Sequence, residues 1–220
     1  MTPLISFSDP TSPGGRAPAR PAAKSRKRTI LESLADPRVR LAIGVATTVI
    51  TALSARGRRV GHHEATVFRA INDLPDSLYA PAWVVMQLGA LGAAPVAAGA
   101  AWVAHDRELS GRLLAGGTAT WALSKLVKRL VRRPRPATLI PDAAGLGYLS
   151  GHAGVAVALG AAAFPRLGAA ERAVILAIAP IVGLSRVYVG AHLPLDIAGG
   201  AALGLAVEAT AAMLSAGDHA

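Results

Sequence analysis

Residues Tyr79–Ala104, YAPAWVVMQLGALGAAPVAAGAAWVA, contain no Asp, Glu, Lys, Arg or His. About 20 apolar residues suffice to cross the hydrocarbon core of a bilayer. A soluble core helix rarely stays apolar on every side for that length. The rest of the chain agrees with a membrane setting. Of 220 residues, 52% are hydrophobic and 16% charged, with a mean hydropathy of +0.43. Soluble domains carry about 25% charged residues. Further apolar segments lie at about 40–56, 110–127, 147–164, 172–190 and 194–215. Several are rich in Ala and Gly, which let helices approach closely in lipid. The expected fold is all-α, a polytopic membrane helical bundle of about six transmembrane helices.

The charge pattern suggests an orientation. The 23 Lys and Arg outnumber the 13 Asp and Glu, for a net charge of +10. Much of the excess sits in a Pro-, Ser-, Gly- and Arg-rich N-terminal stretch at 1–28, which cannot bury a core and is expected to be a disordered basic tail. It lacks the apolar centre of a cleavable signal, so it reads as a retained segment. Residues 29–220 form the expected transmembrane domain. Six spans place both termini on one side, and the positive-inside rule makes that side cytoplasmic. Loops near 57–78, 128–146 and 190–194 then face outward. Basic flanks beside apolar helices favour membrane lipids as partners over nucleic acid. The chain has no cysteine, which excludes disulfides and thiolate metal sites.

One outward loop breaks the charge rule. KRLVRRPRP, Lys128–Pro136, is strongly basic, so its cations need another job. A lipid-headgroup patch would explain the charge but not the Arg133-Pro134-Arg135-Pro136 alternation. Proline fixes φ and stops the helix, which would hold neighbouring arginines in set directions. Guanidinium groups grip phosphate in a bidentate way and lysine adds a point charge. A second stretch, YLSGHAGVAVALG, places Ser150 as a helix N-cap with Gly151 and His152 in the first turn, where free N–H groups favour an anion. Alone, His152 reads better as an interfacial histidine bonded to a carbonyl. A third, GLSRVYVGAHLPLDIAGG, sets Arg186, His192 and Asp196 in an apolar context. If a helix starts near Pro194, the Asp196 carboxylate can reach back to the His192 imidazole and fix its tautomer. A structural Arg–Asp pair with a bystander histidine is the plainer alternative. Six-span topology puts all three stretches on one face.

Together the three stretches resemble the type 2 phosphatidic acid phosphatase (PAP2) superfamily, in its membrane lipid phosphatase branch. Lys, six residues and Arg-Pro correspond to Lys128 and Arg135-Pro136. Pro-Ser-Gly-His corresponds to Leu149-Ser150-Gly151-His152, with Leu149 in place of the usual proline. Ser-Arg, five residues, His, three residues and Asp correspond to Ser185-Arg186, His192 and Asp196. Lys125 and Arg132 have the same separation, but Arg133 follows where proline should stand, so Lys128 is the better match. The resemblance implies that His192 is the nucleophile and forms a phosphohistidine, and that Asp196 orients it. It implies that His152 protonates the leaving group and then activates water. Lys128, Arg135, Ser150, Gly151 and Arg186 would hold the phosphoryl oxygens. It calls for no cofactor and no metal. GHHEATVF, with His62, His63 and Glu64, is expected to be a solvated interfacial helix, because adjacent helical side chains point apart.

The function that this implies is an integral membrane phosphatase acting on a lipid phosphomonoester or pyrophosphate. A polyprenyl phosphate or diphosphate, phosphatidic acid or phosphatidylglycerophosphate would fit, with the polyprenyl carrier favoured by analogy. A membrane lipid-binding or transport protein without turnover, and a phosphotransferase using the same site, are the alternatives.

Overall fold

The computed structural model describes residues 33, 35–57, 59–136 and 145–217; the expected basic tail at 1–28 and Arg58 lie outside them. The described residues form eight α-helices, α1 Pro37–Ala55, α2 His62–Asn72, α3 Tyr79–Met86, α4 Ala93–Val103, α5 Arg107–Val131, α6 Gly151–Ala163, α7 Ala169–Tyr188 and α8 Pro194–Gly217, with short 3-10 turns and no strand beyond one isolated bridge. The all-α expectation holds.

The count of six spans does not follow from these helices. Two, Pro37–Ala55 and Pro194–Ala216, are long and apolar enough to cross a membrane. The pair Asp76–Gly89 and Ala93–Val103 adds a third only if taken as one span bent by 64°. The long apolar run is therefore not one helix. It breaks at a 3-10 turn over Gln87–Gly89, and Ala90 is extended at φ −70°, ψ 161°. Gly89 sits so close to α6 that a β-carbon there would lie 2.2 Å from the His152 carbonyl oxygen. Close approach to a neighbouring helix, which hydropathy cannot report, accompanies the break. α6 has 13 residues, about 20 Å of helix, short of the roughly 30 Å hydrocarbon core.

The packing is that of a bundle with small residues inside. Ala94, Ala98, Ala101, Leu113, Val155, Leu159 and Ala162 form one core cluster between α4, α5 and α6. α6 crosses α8 in backbone contact: a β-carbon at Gly204 would lie 2.1 Å from the Gly154 carbonyl oxygen. Large apolar side chains point outward instead, including Val49, Ile50, Val96, Trp102, Val103, Leu130, Leu176 and Leu214. Outward apolar surface on α1, α4, α5, α7 and α8 alike suits hydrocarbon surroundings and not water.

Candidate active site

The C-terminal ends of α5 and α7 and the N-terminal ends of α6 and α8 meet at one end of the bundle. α5 stops at Arg132, which takes a left-handed conformation at φ 54°, and the Arg132 amide donates to the Lys128 carbonyl at 2.9 Å. The Arg–Pro segment then runs extended. It pairs with residues 146–147 through the Pro134–Leu146 bridge, with the Gly147 amide donating to the Arg133 carbonyl at 2.7 Å. Extended backbone alternates its side chains: Arg133 is 2% exposed, Pro134 is exposed and Arg135 is half-buried, while Arg132 is exposed in the left-handed turn before them. The expected holding of the arginines in set directions is present, with a partition between them that the sequence did not reveal.

Ser150 caps α6, and its Oγ accepts from the Ala153 amide at 3.3 Å. The Ser150 amide donates to the Asp196 carbonyl at 2.9 Å, tying the α6 cap to α8. Leu149 is fully buried in a cluster with Ala55, Val131 and Tyr148. The Tyr148 hydroxyl donates to the Thr48 carbonyl at 2.9 Å, so α1 braces this turn. After α7, Gly190 turns left-handed at φ 69°, and the Ala191 and His192 amides both donate to the Arg186 carbonyl, at 3.0 and 3.2 Å. Asn72 holds the same loop through its Nδ2, which donates to the Tyr188 carbonyl at 2.7 Å.

These elements enclose a cavity of about 90 Å³ lined by Trp121, Ser124, Lys125, Lys128, Arg135, Gly151, His152, Arg186 and His192. Six of the eight residues singled out in the sequence line it. Ser150 lies beneath as the α6 cap, and Asp196 lies behind His192. The other three lining residues, Trp121, Ser124 and Lys125, were not anticipated. Lys125, set aside as a motif match, reaches the cavity and places its Nζ 5.0 Å from the centre of the Trp121 ring. Ser124 faces Gly151 so closely that a β-carbon on Gly151 would lie 2.9 Å from its Oγ.

Polar contacts within the cavity are sparse. Lys128 Nζ donates to the Leu146 and Gly147 carbonyls at 3.1 and 3.3 Å. Arg186 is 9% exposed, with Nη1 3.0 Å from Met86 Sδ and Nε buried without a partner among the described residues. A buried guanidinium with an unused donor is costly in an apolar setting unless an anion joins it. His192 is 1% exposed, and its Nδ1 lies 3.6 Å from Asp196 Oδ2, too long for a hydrogen bond. Burial pushes the His192 imidazole down to about 4, partly opposed by Asp196, so the ring is neutral at pH 7.

Asp196 reaches back as the helix start at Pro194 led us to expect, but it serves more than the histidine. Its Oδ2 accepts from the Leu193 amide at 2.9 Å, and its Oδ1 accepts from Arg133 Nη1 at 2.9 Å. Arg133 also donates to both carboxylate oxygens of Glu64, with Nη1–Oε1 at 3.0 Å. Burial opposes the Arg133 charge, and the two carboxylates outweigh it and hold its pKa above the ordinary arginine value. The solvated interfacial helix expected at GHHEATVF is corrected at this residue: Glu64 is only 15% exposed and ion-paired, while His62 and His63 are exposed. Glu64 was legible only as an acidic residue in the first turn of an amphipathic helix. Its partner lies 69 positions away. No group of three or more His, Cys, Asp or Glu suited to a metal occurs among the described residues.

Several known proteins are similar to this chain. The PAP2 superfamily model matches residues 111–216. Decaprenylphosphoryl-5-phosphoribose phosphatase of Mycobacterium tuberculosis, from strains CDC 1551 / Oshkosh and ATCC 25618 / H37Rv, is 36% identical over 100 residues, 43% of this chain. The match spans about half of those relatives' length, 55%. The crystal structure of a transmembrane PAP2 type phosphatidylglycerolphosphate phosphatase from Bacillus subtilis superposes with a TM-score of 0.66 at 20% identity, covering 80% of this chain and 96% of that one. Aquifex aeolicus LpxE gives 0.56 at 19% identity, covering 68% and 94%. At these identities the two structures establish a shared fold.

Proposed function

From residues 111–216, which belong to the PAP2 superfamily, we propose that the chain is an integral membrane phosphatase that hydrolyses a lipid phosphate through a phosphohistidine on His192. The observation that carries this reading is the cavity in which Lys128, Arg135 and Arg186 converge beside two histidines. Phosphoryl transfer asks a protein for positioning and for positive charge around the equatorial oxygens.

With Nδ1 turned toward Asp196, Nε2 of His192 attacks phosphorus, and the bond from phosphorus to the leaving oxygen breaks. His152 gives its proton to that oxygen. Water then attacks the phosphohistidine, His152 takes the proton from it, and the P–N bond breaks to release phosphate. Splitting hydrolysis this way replaces one difficult step by two easier ones. Lys128, Arg135 and Arg186, with Ser150 and the Gly151 amide at the N-terminus of α6, hold the phosphoryl oxygens. Closing the 3.6 Å gap between His192 and Asp196 requires only a few tenths of an ångström, which is ordinary for catalytic contacts before substrate binds.

On this reading the substrate's tail lies in the bilayer, which the apolar outer surface supports, and its phosphate sits at the end of the bundle. The M. tuberculosis relatives are named for a polyprenyl-phosphoryl sugar phosphate, so a polyprenyl phosphate or diphosphate is the favoured class. On this reading residues 29–220 form one transmembrane domain behind a basic cytoplasmic tail at 1–28, and the site faces away from the cytoplasm. The test is phosphate release by purified protein in detergent from a panel of polyprenyl phosphates, phosphatidic acid and phosphatidylglycerophosphate, with H192A as control. Release by the wild type and none by H192A supports the reading; full release by H192A refutes it.

A further inference from the structure

Asp196 faces conflicting demands. It has no exposed surface, and a guanidinium nitrogen sits 2.9 Å from one of its oxygens. Paired one to one, Arg133 and Asp196 would carry no net charge, and little negative potential would remain for His192. The other groups lining the cavity with His192 are cationic or titrate to cations: Lys125 and Lys128 on α5, Arg135 on the Arg–Pro segment, His152 on α6 and Arg186 on α7. In a poorly hydrated site these charges are weakly screened.

A second carboxylate alters that balance. Glu64, in the first turn of α2, takes both terminal nitrogens of Arg133, while its Oε1 also accepts from the Leu195 amide at 3.0 Å. Glu64, Arg133 and Asp196 therefore sum to one negative charge. The bidentate grip of Glu64 leaves Asp196 a single N–H from the guanidinium fork. Neither Glu64 nor Arg133 lines the phosphate-sized cavity, so their effect on the reaction must pass through Asp196.

We propose that Glu64 is a positioning residue: it neutralises Arg133 and so keeps the charge of Asp196 available to His192 and to the positive charge that ring acquires when Nε2 bonds to phosphorus. The proposal rests on His192 being the nucleophile. It also gives α2, which precedes the family-matched region, a part in the chemistry. Arg133 pins the Asp196 carboxylate in place, and Glu64 offsets the electrostatic cost of that pin.

E64Q isolates the charge, because glutamine keeps an acceptor for the Leu195 amide. Assayed on whichever of phosphatidic acid and a polyprenyl monophosphate the wild type hydrolyses faster, E64Q is expected to lose kcat by about tenfold with KM within about twofold. The acid limb of its pH profile should move to lower pH. R133Q, which leaves two carboxylates, should move that limb to higher pH, and E64Q/R133Q, with one net negative charge restored, should recover part of the loss. E64D keeps the charge on a shorter arm and is expected to stay within about threefold of wild type. It supplies the test if E64Q does not fold, and a tenfold loss in E64D with an unmoved limb overturns the proposal. So does E64Q with wild-type kcat, or an unmoved limb in both E64Q and R133Q. If H192A is dead and E64Q is unaffected, only this inference falls. If H192A stays active, the reading of the site itself falls.

Discussion

Gly200→Ala is the perturbation whose cost is most directly readable from the geometry. Gly200 lies on α8 one turn after Asp196, where α8 meets the start of α6. A methyl group there would sit 2.2 Å from the Ser150 carbonyl oxygen and 3.0 Å from its carbonyl carbon. An ordinary C···O contact is about 3.3 Å, so the two backbones must part by about 1 Å. Neither backbone can rotate away as a flexible side chain could. Overpacking of this kind costs about 1–3 kcal/mol, or roughly 2–12 °C in Tm at about 2–4 °C per kcal/mol for a chain of this size. The displacement falls on the link between the Ser150 amide and the Asp196 carbonyl, and hence on both halves of the site. A 1 Å misplacement of reacting groups can cost about a hundredfold, so kcat should fall by about 10- to 100-fold. Thermal unfolding in detergent and steady-state phosphate release measure the two effects. Gly99→Ala is the control: nothing lies within 4 Å of the β-carbon it would add, and its Tm should be unchanged or slightly raised. G200A with wild-type Tm and kcat would refute the reasoning that α6 and α8 are locked in backbone contact there.

Three further outcomes are expected. The His192 ring resonances, followed by NMR with H192A for assignment, should not titrate near pH 6.5 but close to pH 4, since burial keeps the imidazole neutral. Between about 6.5 and 4 the unfolded chain binds a proton that the folded one refuses, so stability declines as pH falls through that window; flat stability there contradicts the burial of a neutral ring. Phosphate release should persist in EDTA without added Mg²⁺, because the proposed mechanism assigns the phosphoryl group to side-chain cations; loss of activity restored by Mg²⁺ would contradict this. H62A and H63A, both on exposed positions, should retain kcat within about twofold.

The residues proposed for the site are more legible in the sequence than the arrangement of the helices is. Lys128, Arg135, Ser150, His152, Arg186, His192 and Asp196 stand at motif spacings in the chain, and the helix starts at Gly151 and Pro194 follow from an N-capping serine and a proline. Those local signals act over a few residues and survive unread tertiary context. The break in Tyr79–Ala104 does not have such a signal: its residues are apolar on both sides of the turn, and what accompanies it is the close approach of Gly89 to the His152 backbone. Arg133 was visible only as one more arginine in a basic cluster. Its burial depends on an extended segment whose alternation sends it inward and leaves Pro134 outside. Glu64 lies far from both partners in sequence, and pairing across 69 and 131 positions leaves no periodicity to read.

The central claim is a covalent one, so trapping the intermediate tests it most directly. Acid-sparing quench of the detergent-solubilised wild type with a ³²P-labelled polyprenyl phosphate should leave label on the peptide containing His192, stable to base and lost in acid. H192A should carry none, and H152A should form label slowly if at all. Label that persists on H192A, or single-turnover hydrolysis by the wild type with no labelled protein at any time point, would contradict the account.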